Sequence, residues 1–182
     1  MFDLKPCTLF GCFELQYNVY EDARGRFTKV FHQQAFAAQG LETNFNEEYY
    51  SVSFKHVIRG LHFQLPPEDH VKLVYCVAGS VIDVVLDLRV GSPTYGQHAL
   101  VELSAAKGNS IYIPKGIAHG FCVLSDQAVM VYKASTVYSP EHDAGVLWNS
   151  AGIPWPTEQA VLSKRDESFP SLNQFHSPFN YG

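Results

Sequence analysis

Short apolar segments rich in Val, Ile, Tyr and Phe run through most of this chain and restrict the folds that it can form. Clusters of Gly, Pro, Asn or Ser separate them at roughly the 8–12-residue spacing that is typical of an all-β sandwich or barrel. A parallel sheet needs helical crossovers between its strands, and these gaps are too short for them. The predicted strands are Arg26–Phe31, Glu48–Lys55, Val71–Val77, Ser80–Leu88, Gln97–Leu103, Asn109–Ile113, Gly120–Leu124 and Ala128–Ala134.

Helical segments are few and peripheral. One short helix is predicted over Gln33–Gln39, where Gly40 ends it, and another over Glu158–Glu167. The pattern as a whole predicts an all-β, double-sheet jelly roll or related β-barrel with a few short peripheral helices. The length of 182 residues predicts one domain, residues 1–182, with a core at about 20–168 and a surface tail at 169–182.

Charge and composition argue against several classes of function. Thirteen Lys and Arg against 18 Asp and Glu give a net charge of −5, and no basic block suggests nucleic-acid binding. No apolar run reaches the ~18 residues of a membrane helix, and the N-terminus lacks a signal-peptide pattern, so we expect a cytoplasmic protein with no membrane partner. The four cysteines lack C-x-x-C spacing and are interpreted as free thiols.

A first cluster of candidate site residues lies in the segment RGLHFQ. Arg59, His62 and Gln64 fall within these six residues, and Lys72 follows in the next predicted strand. A lone histidine in apolar sequence is more commonly structural. Two cations beside a histidine, however, suit a site in which they hold an anion while the imidazole transfers protons.

A second cluster has the spacing G-x5-P-x-G-x2-H over Gly108–Gly120 and resembles the second half of the cupin signature. That signature directs a histidine, here His119, into the barrel. Metal-binding cupins add an upstream H-x-H pair, whereas His62 is followed here by Phe63 and Gln64. We therefore predict no metal site and interpret His119 as a ligand-facing or structural donor.

Two further residues are ambiguous from residue type alone. Tyr132 lies on a predicted strand and is most simply an aromatic core residue, although a tyrosine hydroxyl facing a substrate can act as a general acid. Asp166, near the C-terminus, is most simply part of a solvated helix face. Both interpretations stay open at this point.

Several motifs occur together in an order that resembles the dTDP-4-dehydrorhamnose 3,5-epimerase family of nucleotide-sugar epimerases. The resemblance extends from Asp22 to Asp166. It implies a cupin-type jelly-roll homodimer that acts on a nucleotide sugar without a metal or an organic cofactor. The motifs are RGLHFQ, VKLVYCVAGSVIDVVLDLR, SPTYGQ, IPKGIAHGF, VYKAS, YSP, LWN and LSKRD.

The resemblance also implies roles for individual residues. It makes His62 the general base, Asp166 the carboxylate that orients it, and Tyr132 the proton donor on the opposite face of the sugar. Lys72 is the cation expected to stabilise an enolate oxygen. The substrate-binding residues expected around the sugar, diphosphate and base are Arg24, Lys29, Glu47, Tyr49, Arg59, Gln64, His119, Tyr138, Asp143 and Arg165.

The leading hypothesis is an epimerase that inverts C3, C5 or both in a nucleoside-diphosphate 4-keto-6-deoxyhexose, foremost the 3,5-epimerase of dTDP-L-rhamnose formation. The chain departs from the family where Glu47-Glu48-Tyr49-Tyr50 replaces the usual Gln-Asp-Asn-His, and where Lys29 and Arg165 replace a Glu and a Lys. A carboxylate accepts well from the amino group of cytosine, so a 3- or 5-monoepimerase of a CDP- or GDP-linked sugar is an alternative.

Two rival classes are a non-catalytic sugar-binding cupin and a metal-dependent cupin enzyme. The combination of His62, Asp166 and Tyr132 argues against a simple binder, because binding needs no acid opposite a base. The missing H-x-H pair argues against the metalloenzyme.

Overall fold

Two antiparallel β-sheets pack face to face in the computed structural model, which describes residues 1–182. The helices are short: α1 (Gln33–Ala37), α2 (Lys164–Glu167) and a 3₁₀ turn at Leu172–Gln174. The strands are β1 (Phe2–Pro6), β2 (Phe13–Tyr17), β3 (Val19–Asp22), β4 (Gly25–Thr28), β5 (Glu47–Phe54), β6 (Ile58–Gln64), β7 (Lys72–Ala78), β8 (Ser80–Asp87), β9 (His98–Ser104), β10 (Asn109–Ile113), β11 (Ile117–Val123), β12 (Gln127–Ala134) and β13 (Asp143–Gly145).

The strand order is that of a jelly roll. Six strands form one sheet in the order β1-β2-β10-β7-β12-β5, and five form the other in the order β13-β6-β11-β8-β9. Strands β3 and β4 form a separate hairpin. The predicted all-β class is therefore confirmed. Neither α-helix has the length and apolar character needed to span a bilayer.

The main core lies between the sheets, where alternate side chains of both point inward. Val74 of β7 and Met130 of β12 meet Val85 of β8 and Phe121 of β11 in this layer. Strand β8 is apolar on its other face as well, because the C-terminal segment covers that face. This explains why its sequence is nearly continuous in Val, Ile and Leu.

The two chain ends belong to the packed structure, which corrects the prediction of a core limited to about 20–168. Leu15 of β2 is fully buried, and Phe179 in the tail is 4% exposed and packs on the outer face of the five-stranded sheet. The helix predicted over Glu158–Glu167 shortens to α2, which begins after the N-cap Ser163. The tail is fixed because its aromatic side chains cover apolar strand faces that would otherwise meet water.

A pair of glycines brings β6 and β11 unusually close. A Cβ atom on Gly60 would lie 2.6 Å from the Cα of Gly120, and Gly60 has a φ of +136°. Only glycine satisfies both conditions without displacement of the backbone. His62 and His119 are register partners beside this approach, so the glycines place the two histidines next to each other.

Candidate active site

A cavity of about 430 Å³ lies between the two sheets and brings together most of the predicted site residues. Strands of both sheets form its walls. Their inward-facing residues are mostly polar here, whereas those in the main core between the sheets are apolar. The predicted residues that line it are His62, Tyr132, Lys72, Glu47, Tyr49, Arg59, Gln64, His119, Tyr138, Asp143 and Arg165.

His62 and Asp166 form a hydrogen-bonded dyad at the wall of the cavity. The Nε2 atom of His62 lies 2.9 Å from Oδ1 of Asp166, whose other oxygen accepts from the backbone N–H of Gly60 at 3.0 Å. Asp166 is 3% exposed, so it is buried behind the histidine and not on a solvated helix face. Ser163 holds the start of α2 by accepting from the Asp166 N–H.

The environment of this dyad favours a carboxylate and a neutral imidazole. Burial opposes ionisation of Asp166, but hydrogen bonds from His62 and the Gly60 N–H hold its pKa below the ordinary value. Burial lowers the pKa of His62, against the opposing effect of Asp166. Because the carboxylate only accepts, Nε2 of His62 carries the proton and Nδ1 keeps a free lone pair. His62 is therefore suited to act as a base.

Tyr132 faces the cavity from the other sheet. Its hydroxyl lies 2.9 Å from Oγ of Ser51, and its ring stacks on Tyr49 with centroids 4.7 Å apart. Burial raises the pKa of Tyr132 well above its ordinary range, so the phenol keeps its proton at neutral pH. The structure thus places a neutral imidazole on β6 and a protonated phenol on β12, on opposite walls of the cavity.

Lys72 opens β7 and is the buried cation of the site. The residue is 7% exposed. Burial lowers the pKa of Lys72 to about 8, and the charges of Asp143 and Asp83 oppose that shift. The ammonium group is therefore mostly protonated at neutral pH. A cation in a water-poor cavity stabilises a developing oxyanion more strongly than it does in water.

A second dyad lies beside the first. Nε2 of His119 lies 2.8 Å from Oδ2 of Asp83, and both residues are buried. Burial raises the pKa of Asp83, and His119 and Lys72 counteract that effect. The His119 ring also meets the Tyr132 ring edge to face at 6.2 Å. No group of three or more His, Cys, Asp or Glu side chains is arranged to share a metal ion.

Charged and polar side chains form another part of the cavity wall. Arg165 donates to Oδ1 of Asp143 at 2.7 Å, and the hydroxyl of Tyr138 donates to Oδ2 of the same residue at 3.1 Å. Arg59 is held by Ser53, which accepts from its Nε at 2.9 Å. The two guanidinium groups give this wall a positive character suited to an anionic ligand.

Because β5 is pleated, alternate residues of the segment Glu47-Glu48-Tyr49-Tyr50 point to opposite faces of the sheet. Glu47 and Tyr49 line the cavity, whereas Tyr50 is exposed and Glu48 pairs with Lys133 outside it. Only the odd-numbered half of the segment can therefore contact a ligand in this cavity.

Three other predicted residues lie in settings that sequence alone does not reveal. Gln64 lines the cavity, but its amide is engaged by the backbone: Oε1 accepts from the Ser139 N–H at 2.7 Å and Nε2 donates to the Glu68 carbonyl at 2.8 Å. Arg24 lies on the exposed β3–β4 hairpin and pairs with Asp22. Lys29 follows that hairpin, and the structure brings neither it nor Arg24 to the cavity of its own chain.

Several residues of the site carry no signal in the sequence. Ser51 lines the cavity and supports Tyr132, and the fully buried Asp83 supports His119. Both roles follow only from pairing the strands in the correct register. His70 also lines the cavity. A single histidine two residues before a lysine carries no distinctive motif.

Comparisons with known proteins show the family to which this chain is similar. A family model described as dTDP-4-dehydrorhamnose 3,5-epimerase matches residues 6–174. The chain is 46% identical over 151 residues to the dTDP-4-dehydrorhamnose 3,5-epimerase of Shigella flexneri, covering 81% of this chain and 83% of that protein. It is 40% identical over 167 residues to the dTDP-4-dehydrorhamnose 3-epimerase of Streptomyces niveus, and this match covers 90% of this chain and 81% of that protein.

A solved structure is similar over the whole chain. The crystal structure of a dTDP-6-deoxy-D-glucose-3,5-epimerase from Legionella pneumophila, in complex with dTDP-4-keto-L-rhamnose, superposes with a TM-score of 0.95. The two sequences are 34% identical, and the alignment covers 100% of each chain.

Proposed function

Because this chain belongs to the dTDP-4-dehydrorhamnose 3,5-epimerase family, we propose that it inverts both C3 and C5 of a dTDP-linked 4-keto-6-deoxyhexose. It is an isomerase, and a dTDP-sugar is its class of substrate. The observation that carries the proposal is the base–acid pair: His62 and Tyr132 face one cavity from opposite sheets. An epimerase needs this arrangement, since the proton leaves one face of a carbon and returns to the other.

The first half-reaction removes a proton from a carbon next to the C4 ketone. Nδ1 of His62 takes the proton, and the electron pair of the C–H bond moves to the ketone oxygen and forms an enolate. The ammonium group of Lys72 stabilises that oxygen, and the carboxylate of Asp166 stabilises the imidazolium. C3 and C5 both flank the ketone, so the same chemistry applies to each in turn, once His62 has released its proton to solvent and Tyr132 has regained one from solvent.

The second half-reaction returns a proton to the opposite face. Tyr132 donates its phenolic proton to the carbon as the enolate collapses back to the ketone. The hydroxyl of Ser51, 2.9 Å away, stabilises the phenolate that results. The product differs from the substrate only in configuration, so the reaction consumes no cofactor.

The active form is proposed to be a homodimer. The hairpin of β3 and β4 exposes Tyr20 and Phe27, and the outward face of β5 exposes Tyr50 and Phe54. Exposed aromatic groups of this extent favour burial against another chain. A second copy also accounts for Arg24, which lies outside the cavity of its own chain although the family resemblance implies a role near the diphosphate.

Two statements about the whole chain complete the proposal. Residues 1–182 act as one domain, since both chain ends pack on the two sheets. The four cysteines are free, with three of them buried, which suits a reducing compartment and supports a cytoplasmic location.

The test is incubation of the protein with dTDP-4-keto-6-deoxyglucose in D₂O, followed by NMR. Deuterium is expected at C3 and C5 with inversion of both centres, and CDP- and GDP-linked analogues are expected to react more slowly. Exchange at one carbon only would indicate a monoepimerase, and binding without exchange would indicate a sugar-binding cupin. Exchange is expected to persist in EDTA; loss that one added metal reverses would favour the metalloenzyme.

A further inference from the structure

His70 lines the cavity but takes no part in the mechanism described above. It lies two residues before Lys72, and both side chains reach the same cavity. Burial lowers the pKa of His70 to about 3, and the charge of Lys72 contributes to that shift. The imidazole is therefore neutral whenever the enzyme works, with one nitrogen protonated and the other not.

The hydrogen bonds around Thr136 define which nitrogen is protonated. Nδ1 of His70 lies 3.3 Å from the hydroxyl oxygen of Thr136. That hydroxyl has one proton, and it donates this proton to the carbonyl oxygen of Glu68 at 2.9 Å. The oxygen can therefore only accept from His70. Nδ1 carries the proton of the imidazole, and Nε2 is left as a bare acceptor.

Nε2 of His70 has no hydrogen-bond partner in the protein, although the atom is buried. A buried polar atom without a partner is destabilising, and such atoms in native structures commonly await a ligand or a water molecule. The atom belongs to a cavity-lining side chain, so a small displacement of that side chain on binding lets a ligand group complete the hydrogen bonding of Nε2. The ligand group must be a hydrogen-bond donor.

Only some parts of the proposed substrate offer such a donor. The diphosphate presents oxygens that accept, and the C4 ketone also accepts. The hexose hydroxyls and the 3′-hydroxyl of the deoxyribose donate, as does the ring N–H of the base. Lys72 is assigned to the ketone oxygen, and His70 is its near neighbour on the same wall, so the hexose and not the nucleoside is the part within reach.

We propose that Nε2 of His70 accepts a hydrogen bond from a ring hydroxyl next to the reacting centre, at C2 or C3 of the hexose. This inference rests on the proposed function. His70 thereby determines specificity: it selects sugars that carry this hydroxyl over their deoxy analogues. A site built to bond a hydroxyl discriminates against a substrate that lacks it, because its buried polar atom then stays unpaired.

The experiment compares three substrates with matched variants. The substrates are dTDP-4-keto-6-deoxyglucose and its 2-deoxy and 3-deoxy analogues, all followed by deuterium incorporation at C5, which each retains. His70→Asn keeps a group at the Nδ1 position for Thr136 but is too short to present an acceptor where Nε2 lies. His70→Gln reaches that position and restores an acceptor. His176→Asn, at an exposed histidine of the tail, is the control.

For the wild type and the control, we expect kcat/KM on one of the two deoxy analogues to be roughly 3- to 10-fold lower than on the parent sugar. This is the effect expected from the loss of one neutral hydrogen bond. His70→Asn should show the same loss on the parent sugar and no further loss on that analogue. His70→Gln should recover part of both the activity and the discrimination. A residue with a purely structural role would lower all three rates by one factor and leave the discrimination unchanged.

Other outcomes contradict the proposal in distinguishable ways. Equal discrimination by the wild type and His70→Asn, or weaker binding of dTDP alone by the variant, would overturn the role of His70. Failure of the wild type to exchange the parent sugar would instead overturn the proposed function. If His70→Asn does not fold, as judged by circular dichroism, the same comparison with His70→Phe decides the question.

Discussion

Two histidines in the cavity each contact a buried carboxylate, yet their surroundings suit them to different tasks. His62 is 26% exposed in its side chain and leaves Nδ1 free, while the side chain of His119 is 5% exposed and packs against Tyr132. The partner of His119, Asp83, keeps one oxygen without a hydrogen bond. We therefore propose His62, with its more exposed side chain and free Nδ1, as the base, and His119 as a residue that supports the proposed acid, Tyr132.

Substitution of His62 tests that assignment. His62→Asn should lower deuterium exchange at C3 and C5 by about 10²–10⁴-fold, the usual contribution of a general base, while the melting temperature changes little. Asp166→Asn should cause a smaller loss, since the base remains but is less well oriented. With the carboxylate charge gone, the pKa of His62 falls further, so the acid limb of the pH–rate profile should move to lower pH. A folded His62→Asn protein with wild-type exchange would contradict the mechanism.

Tyr132 should separate the two half-reactions. In Tyr132→Phe the base is intact, so proton abstraction and return from the same face continue, but inversion lacks its donor. Deuterium exchange should therefore persist in this variant while epimerisation is largely lost, and NMR of the same sample measures both. The control is Tyr95→Phe, because Tyr95 is exposed on a turn and lies outside both the cavity and the proposed dimer surface. Equal losses of exchange and inversion would indicate that Tyr132 only shapes the pocket and is not the proton donor.

Lys72 should set the alkaline limit of activity. Its pKa is lowered to about 8, and the protonated form is the one that stabilises the enolate. As the pH rises through about 8 the charge is lost, so kcat/KM, which reports groups of the free enzyme, should fall. Lys72→Arg should lower the maximum rate yet move this limb to higher pH, because a guanidinium stays charged. Lys55→Arg, at an exposed lysine, should leave the limb unchanged.

At the scale of strands, the site depends on the close approach of β6 and β11. Gly60→Ala would place a methyl group against Gly120 and force a positive φ on alanine, and it would displace the N–H that holds Asp166. We expect the free energy of unfolding to fall by roughly 2–4 kcal/mol, with a loss of exchange. Gly91→Ala is the matched control: φ is +86° there, but nothing lies within 4 Å. Thermal melts and exchange rates of both variants give the comparison.

The strands that could be predicted are those rich in β-branched and aromatic side chains. Asn109–Ile113 matches β10 residue for residue, β8 and β12 differ from their predictions by one residue at one end, and β7 is displaced by one residue at both ends. Strand β6 was missed because IRGLHFQ contains a glycine and polar residues that serve the site. Strands β1 and β2 were missed because their side chains become buried only when β10 and α1 pack beside them.

The site was predictable in its residue types and not in its arrangement. Motif order predicted His62, Tyr132 and Lys72, but one sequence does not define which strand faces which across the barrel. The orientation of Glu47-Glu48-Tyr49-Tyr50 follows from the register of β5 with β12, which pairs Tyr49 with Tyr132. Long-range register of this kind is set by the whole barrel and leaves no local signal.

At the scale of the whole molecule, the hairpin of β3 and β4 is the element that a single chain does not explain. It pairs with no strand of the two sheets, and the side chain of Arg24 is 90% exposed at its end. Elements with exposed aromatic groups that extend from a closed barrel are suited to pack on a second copy. In a two-fold dimer each hairpin would then meet the same surface of the other chain.

If the hairpin carries Arg24 to the partner's cavity, two defective chains should restore each other. Arg24→Ala and His62→Asn homodimers are each expected to be impaired, the first by at least about tenfold through loss of a charged contact with the diphosphate. A heterodimer of the two, isolated with a different affinity tag on each chain, contains one cavity with both groups intact. It should therefore show about half of the wild-type activity. If each Arg24 served its own chain, the heterodimer would reach only half of the Arg24→Ala activity, a difference of about tenfold between the two arrangements.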